Sequence, residues 1–130
     1  MYLCDTNIIS ELARPVPNAG VSAWAETVVA IHLSVVSVEE IYFGLAWKPH
    51  PKIHAWFDTF LETRCTILPV TAAIAKRCGT LRGSLQAQGK TRSQADMLLA
   101  ATAQLHQLTL VTRNIRDFED CAISLFNPFH

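Results

Sequence analysis

Several features that would settle a protein's class early are missing or scarce in this chain. Its four cysteines, Cys4, Cys65, Cys78 and Cys121, form no CxxC pair. No histidine stands at a zinc-ligand interval from them, which excludes a zinc ribbon or a dithiol redox centre and leaves buried free thiols. Apolar runs stop well short of the roughly 18 residues a membrane helix needs. No basic stretch followed by a long apolar one opens the chain, so a soluble, cytoplasmic protein with no membrane partner is expected. Repeats, low-complexity tracts and linkers are absent, and the proline-bearing ARPVPNAG and KPHP are turns within one domain. Net charge is zero, but acid is missing from one region: between Arg64 and Ala95 there are six basic residues and no acidic one. Such a segment suits a polyanion.

What is present argues for an ordinary core. Half of the 130 residues are hydrophobic and 17% are charged, a balance that excludes disorder and fits a single domain over residues 1–130. Short apolar runs alternate with amphipathic stretches, the pattern of an α/β fold on a mostly parallel sheet. Strands are expected at Tyr2 to Cys4, Ile31 to Val36, Thr66 to Leu68, Leu108 to Thr112 and Ile123 to Leu125. Helices are expected from Ser37 to Trp47, opened by a capping box in SVEE, from Ile53 to Leu61, and through TAAIAKRCGTLRGSLQAQG to Gly89. Gly79 and Gly83 weaken that third helix and suggest a bend or a packing contact. SQADMLLAATAQLH is apolar almost all round, as a helix buried against a sheet would be.

Four acidic residues stand where a strand end meets a helix start: Asp5, Glu40, Asp96 and Asp117. Each also has an ordinary structural explanation. Asp5 would cap the helix that follows it, Glu40 would complete a capping box with Ser37, Asp96 would do the same with Ser93, and Asp117 would be a turn residue. In a parallel sheet, however, the carboxyl ends of the strands share one edge, where ligands bind. Carboxylates gathered there raise one another's pKa unless a cation neutralises them. Mg²⁺, or Mn²⁺, is the natural partner of such hard oxygen ligands, and an acidic pocket with a metal is a phosphodiesterase site in outline. The histidines, His32, His50, His54, His106 and His130, form no evident cluster.

Four strings, DTNIIS, SVVSVEEIYFG, ADMLLAATAQLHQLTLVTRNIRDFED and LFNPF, together resemble PIN-domain ribonucleases, most of all the VapC-type toxins of bacterial toxin–antitoxin operons. The resemblance covers nearly the whole chain in order. It implies a three-layer fold with a central, mostly parallel twisted sheet flanked by helices, and a metal-dependent endoribonuclease. It further implies that Asp5, Glu40 and Asp96 bind the metal, that Thr6 and Asn7 shape the site beside Asp5, and that Thr112 supports it from its strand end. The fourth acidic position falls on Asn114 or Asp117; Asp117 is preferred, since a carboxylate attracts a cation more strongly than an amide does. A cognate antitoxin protein and a homodimer are implied as partners, with the apolar residues Ile8, Ile9, Leu12, Tyr42, Phe43, Trp47, Trp56 and Phe57 available for a groove or for the core.

The basic residues then acquire a use. Arg77, Arg82, Lys90 and Arg92, with Arg113 and Arg116 beside Asp117, would neutralise phosphates of an RNA substrate, against the alternative of a solvated helix face. Three rival readings stand beside this one. An aspartyl-phosphate hydrolase usually shows a second Asp two residues after the first, where Asn7 stands. A catalytically inactive PIN-like RNA- or protein-binding module is expected to have lost some of the acidic positions. PIN nucleases of ribosomal RNA maturation generally carry additional modules.

Overall fold

The structure, a computed structural model, describes all residues from Met1 to His130. Five strands, β1 (Tyr2–Cys4), β2 (Ile31–Ser34), β3 (Cys65–Leu68), β4 (Thr109–Val111) and β5 (Leu125–Phe126), form one sheet in the order β3-β2-β1-β4-β5. Every pairing is parallel, with Leu3 opposite both His32 and Leu110. Six helices, α1 (Thr6–Leu12), α2 (Ala19–Thr27), α3 (Val35–Trp47), α4 (Pro51–Arg64), α5 (Ala72–Ala87) and α6 (Gln94–His106), flank it, and a 3₁₀ turn covers Ile115–Phe118.

Adjacent strand residues point to opposite faces, and the sheet accordingly divides two cores. Cys4, Ile31, Leu33 and Val111 pack with apolar residues of α1 to α4, including Ile8, Ile9, Val21, Ile41, Phe57 and Phe60. Leu3 and Leu110 pack on the other face with Met97, Leu99 and Ala100 of α6, Ile74, Cys78 and Leu85 of α5, and Phe118. The chain travels outward from β1 through β2 to β3 and then crosses back to β4 on the other side of β1. That reversal makes the carboxyl end of β1, between β2 and β4, the crevice of the sheet.

Several expected boundaries move. β2 ends at Ser34, whose hydroxyl accepts from the Val36 backbone N–H and caps α3. Ser37 therefore lies inside α3, fully buried and without a hydrogen-bond partner, and the expected capping box with Glu40 does not form. α5 runs unbroken through Gly79 and Gly83, and a methyl group at either would meet open space, so neither glycine marks a bend or a packing contact. The last strand lies slightly later than expected, at Leu125–Phe126. All four cysteines are free. No helix is long and apolar enough to cross a membrane.

Candidate active site

The crevice is built around Asp5. It follows β1 directly and caps α1, taking a hydrogen bond from the Thr6 backbone N–H at 2.7 Å on one carboxylate oxygen. The other oxygen accepts from Thr112 Oγ1 at 2.9 Å and from Asn7 Nδ2 at 3.3 Å. Its own N–H donates to the Val111 carbonyl across the β1–β4 step. Capping and site-building are thus one arrangement, because the helix begins where the strand ends. Thr112 Oγ1 also accepts from the Asn114 N–H, and Asn7 Oδ1 accepts from the Arg113 N–H at 3.3 Å, so the turn after β4 is tied to the start of α1.

The other acidic residues arrive from separate elements. Glu40 is exposed on α3, and Thr6 Oγ1 donates to its Oε1 at 2.7 Å, which links the second helix turn of α3 to the first turn of α1. Asp96 lies in the first turn of α6, where Ser93 caps the helix by accepting from the Asp96 N–H at 3.1 Å. Asp117 is exposed in the 3₁₀ turn, its N–H donating to the Asn114 carbonyl. The Asn114 side chain makes no hydrogen bond within the protein, as its own turn position is fixed through its backbone.

These carboxylates feel one another. Burial raises the Asp5 pKa above the usual carboxylate range, the Thr112 and Thr6 hydrogen bonds oppose the rise, and the charges of Asp96 and Glu40 add to it. Asp96 is raised as well, chiefly by burial, with Asp117 and Glu40 adding to the rise and Ser93 and Arg92 opposing it. The ion pairs of the molecule, Arg14–Glu11, His54–Asp58 and Lys90–Asp120, all lie elsewhere. No side-chain cation of the protein therefore neutralises Asp5, Glu40, Asp96 or Asp117 by direct contact. No three His, Cys, Asp or Glu side chains converge closely enough to ligate one ion together. A donor set of hard carboxylate oxygens without a resident counter-charge fits Mg²⁺, which commonly takes one or two carboxylates and keeps water in its remaining positions.

The structure sorts the expected RNA-contacting residues into two groups. Lys90 is paired with Asp120 at 2.8 Å, and Arg92 Nη1 donates to the carbonyls of Asp117 and Glu119 at 2.9 and 2.8 Å. Both side chains hold the segment around Asp117, Lys90 while remaining exposed and Arg92 while half-buried. Arg77, Arg82, Arg113 and Arg116 are exposed. Sequence reasoning missed four other residues around the site. Glu11 is buried and accepts from the Asn18 N–H at 2.7 Å and from Arg14; Asn18 bonds to His130, Gly20 of α2 lies against Pro128 and His130, and the Phe129 ring lies under the Arg113 guanidinium. An acidic residue within the expected helix and the LFNPF string were the available signals.

The chain belongs to the PIN-domain family, whose model matches residues 2–123. Within that family it groups with the VapC-type toxins. It is 34% identical to Toxin FitB of Neisseria gonorrhoeae over 100% of this chain and 99% of that one. It is 32% identical to VapC ribonuclease Y4jK of Sinorhizobium fredii over 99% and 98%. The fold superposes on the crystal structure of FitAcB from Neisseria gonorrhoeae with a TM-score of 0.85 at 34% identity, covering 100% and 99% of the two chains. It also superposes on VapBC2 from Rickettsia felis, bound to a DNA fragment from the promoter, with a TM-score of 0.86 at 27% identity, covering 97% of each.

Proposed function

We propose that this protein is a metal-dependent endoribonuclease and the toxin of a toxin–antitoxin pair, hydrolysing RNA phosphodiester bonds at the acidic crevice. The observation that carries the reading is the gathering of Asp5, Glu40, Asp96 and Asp117 at one sheet edge, none of them in an ion pair with a side chain of the protein. Asp5, Asp96 and Glu40 would hold Mg²⁺, with Mn²⁺ able to substitute. Such an ion lowers the pKa of a bound water and stabilises charge on the attacked phosphate and the leaving oxygen.

The protein's own residues supply orientation and proton handling. Thr6, Asn7 and Thr112 fix the Asp5 carboxylate through both oxygens, so it meets the cation without reorganising. Asp96, set in the first turn of α6 by the Ser93 cap, is placed to take part in activating the attacking water. Asp117 adds negative charge that Asp96 feels, and the Asn114 carbonyl accepts from the Asp117 N–H in the turn that carries it. The partners are an RNA substrate and a cognate antitoxin, in keeping with the two-component structures of FitAcB and VapBC2, and the free protein is a cytoplasmic homodimer.

A second reading, a catalytically inactive PIN-like binding module, draws on one observation: the absence of three carboxylates at common ligating distance. The discriminating experiment incubates a labelled total-RNA pool with purified, antitoxin-free protein in Mg²⁺ or chelator, for the wild type and Asp96→Asn. The ribonuclease reading expects discrete fragments that require metal and disappear in the variant. It also expects Mg²⁺ to raise the Tm of the wild type more than that of Asp5→Asn. RNA left intact under Mg²⁺ and Mn²⁺ by folded protein would transfer the case to the binding module.

A further inference from the structure

We infer that Arg113 is a phosphate-binding residue for the RNA strand beside the acidic crevice, and that Phe129 is a positioning residue that holds its guanidinium ready. The inference rests on the ribonuclease reading above.

An RNA strand approaching four carboxylates is repelled by them, and a metal bound at the scissile phosphate does nothing for the flanking phosphates. A cation at the rim of the crevice would offset this repulsion. Most candidates are otherwise engaged. Arg14 pairs with Glu11, Arg64 donates to the carbonyls of Ala25 and Val28, and Lys90 and Arg92 hold the segment around Asp117. Lys76, Arg77 and Arg82 lie on α5, exposed and without a hydrogen bond to fix them.

Arg113 differs in both backbone and side chain. It directly follows Thr112, which donates to Asp5, and its N–H is bonded to Asn7, so its main chain is anchored to the site itself. Its guanidinium lies over the Phe129 ring at 4.6 Å from the centroid and makes no ion pair within the protein. Stacking on an aromatic face immobilises the guanidinium plane while leaving its N–H edge free, the geometry that phosphate recognition uses.

Phe129 can do this because its own segment is fastened down. Pro128 is buried, and Asn127 Oδ1 accepts from the Phe129 N–H at 3.0 Å. Asn18 binds His130 at both backbone groups, its Nδ2 donating to the carbonyl and its Oδ1 accepting from the N–H, each at 3.1 Å. Gly20 is required for the same closure, since a Cβ there would collide with the Pro128 carbonyl oxygen and the His130 Cβ. Asn18 is in turn held by Glu11 through its backbone N–H. A continuous set of contacts therefore runs from Glu11 through Asn18 and Phe129 to Arg113 and back to Asn7. Binding affinity gained through a cation already ordered in the free protein avoids the entropy of ordering it on contact.

The test measures binding of a labelled single-stranded RNA oligonucleotide at several salt concentrations, using Asp96→Asn protein so that the probe survives. Into that background are placed Arg113→Gln, Phe129→Leu and Phe129→Tyr, each compared at a temperature where circular dichroism shows it folded. Arg113→Gln is expected to weaken binding roughly tenfold and to reduce the salt slope by about 0.7, the value of one lost phosphate contact on a single strand. Phe129→Leu is expected to weaken binding without changing the slope, because the charge remains but loses its support. Phe129→Tyr is expected to restore affinity. Arg113→Gln indistinguishable from its parent in affinity and slope would overturn the phosphate role. Leucine and tyrosine behaving alike at position 129 would overturn the positioning role. Both results leave cleavage of total RNA by the wild type intact, whereas a wild type that fails to cut RNA removes the ribonuclease reading as well.

Discussion

Asp5 shows why a single carboxylate at a strand–helix junction resists being read from sequence as either cap or site residue. Its two oxygens divide the work: one satisfies an unpaired N–H of α1 and the other meets Thr112 and Asn7, so the structural and functional explanations describe the same geometry. Glu11 is the contrasting case, a buried carboxylate that the sequence pattern did not mark. The Asn18 N–H holds its pKa below the usual carboxylate range; burial opposes this, and Arg14 and then Arg113 support it. A carboxylate lowered in the folded state contributes stability above its unfolded pKa and loses it as pH falls through the folded value. Replacing Glu11 with Gln is therefore expected to cost about 1–2 kcal/mol near neutral pH, with the difference from wild type shrinking below the unfolded value of 4.5. Urea denaturation of both proteins across the acid range measures it; a deficit that stays constant with pH would show that the charge contributes nothing.

The helices make the limits of pattern reading concrete. The existence and order of β1 to β5 and of α3 to α6 followed from apolar periodicity, but the start of α3 did not. Ser34 and Ser37 are equally good capping residues in isolation, and only the end of β2 at Ser34 decides between them. In α5 the glycines misled in another way, since a Gly inside a helix suggests a purpose that the surroundings of Gly79 and Gly83 do not supply. Gly79→Ala and Gly83→Ala are each expected to stabilise the fold by about 0.5–1 kcal/mol, through better helix propensity and a less mobile unfolded chain. Chemical denaturation midpoints would rise with unchanged slope. Destabilisation by either would reveal a neighbour that these exposed positions lack. The hydrogen bonds of Lys90 and Arg92 lay beyond sequence altogether, because a basic residue looks the same whether or not its side chain also reaches a segment 25 to 30 residues away.

At the scale of the molecule, the α/β class and the acidic edge were legible because a parallel sheet places all its strand ends on one side, whatever the loops do. The closing segment was not, because its use depends on a meeting between residues 18–20 and 128–130 that no local pattern encodes. The sheet also joins two cores that share strands β1 and β4. Leu33→Ala on one face and Leu99→Ala on the other are each expected to cost about 2–5 kcal/mol and to lower a single unfolding transition, since the strands cannot be lost from one core alone. Calorimetry that resolved two transitions in either variant would show the layers to be separable.

The hydrogen bond from Thr112 to Asp5 spans 107 residues of sequence, and this has a meaning for a chain made in order from one end. Translation delivers Thr112 only after Asp5, the strands β1 to β4 and all six helices have been made. Until β4 docks beside β1, Asp5 keeps its cap to Thr6 but lacks the hydroxyl that fixes its second oxygen, and the turn carrying Arg113 and Asp117 does not yet exist. A nascent chain on the ribosome, surrounded by the RNA of its own message and of the machine making it, is thus without a complete crevice until β4 and the turn after it have been synthesised.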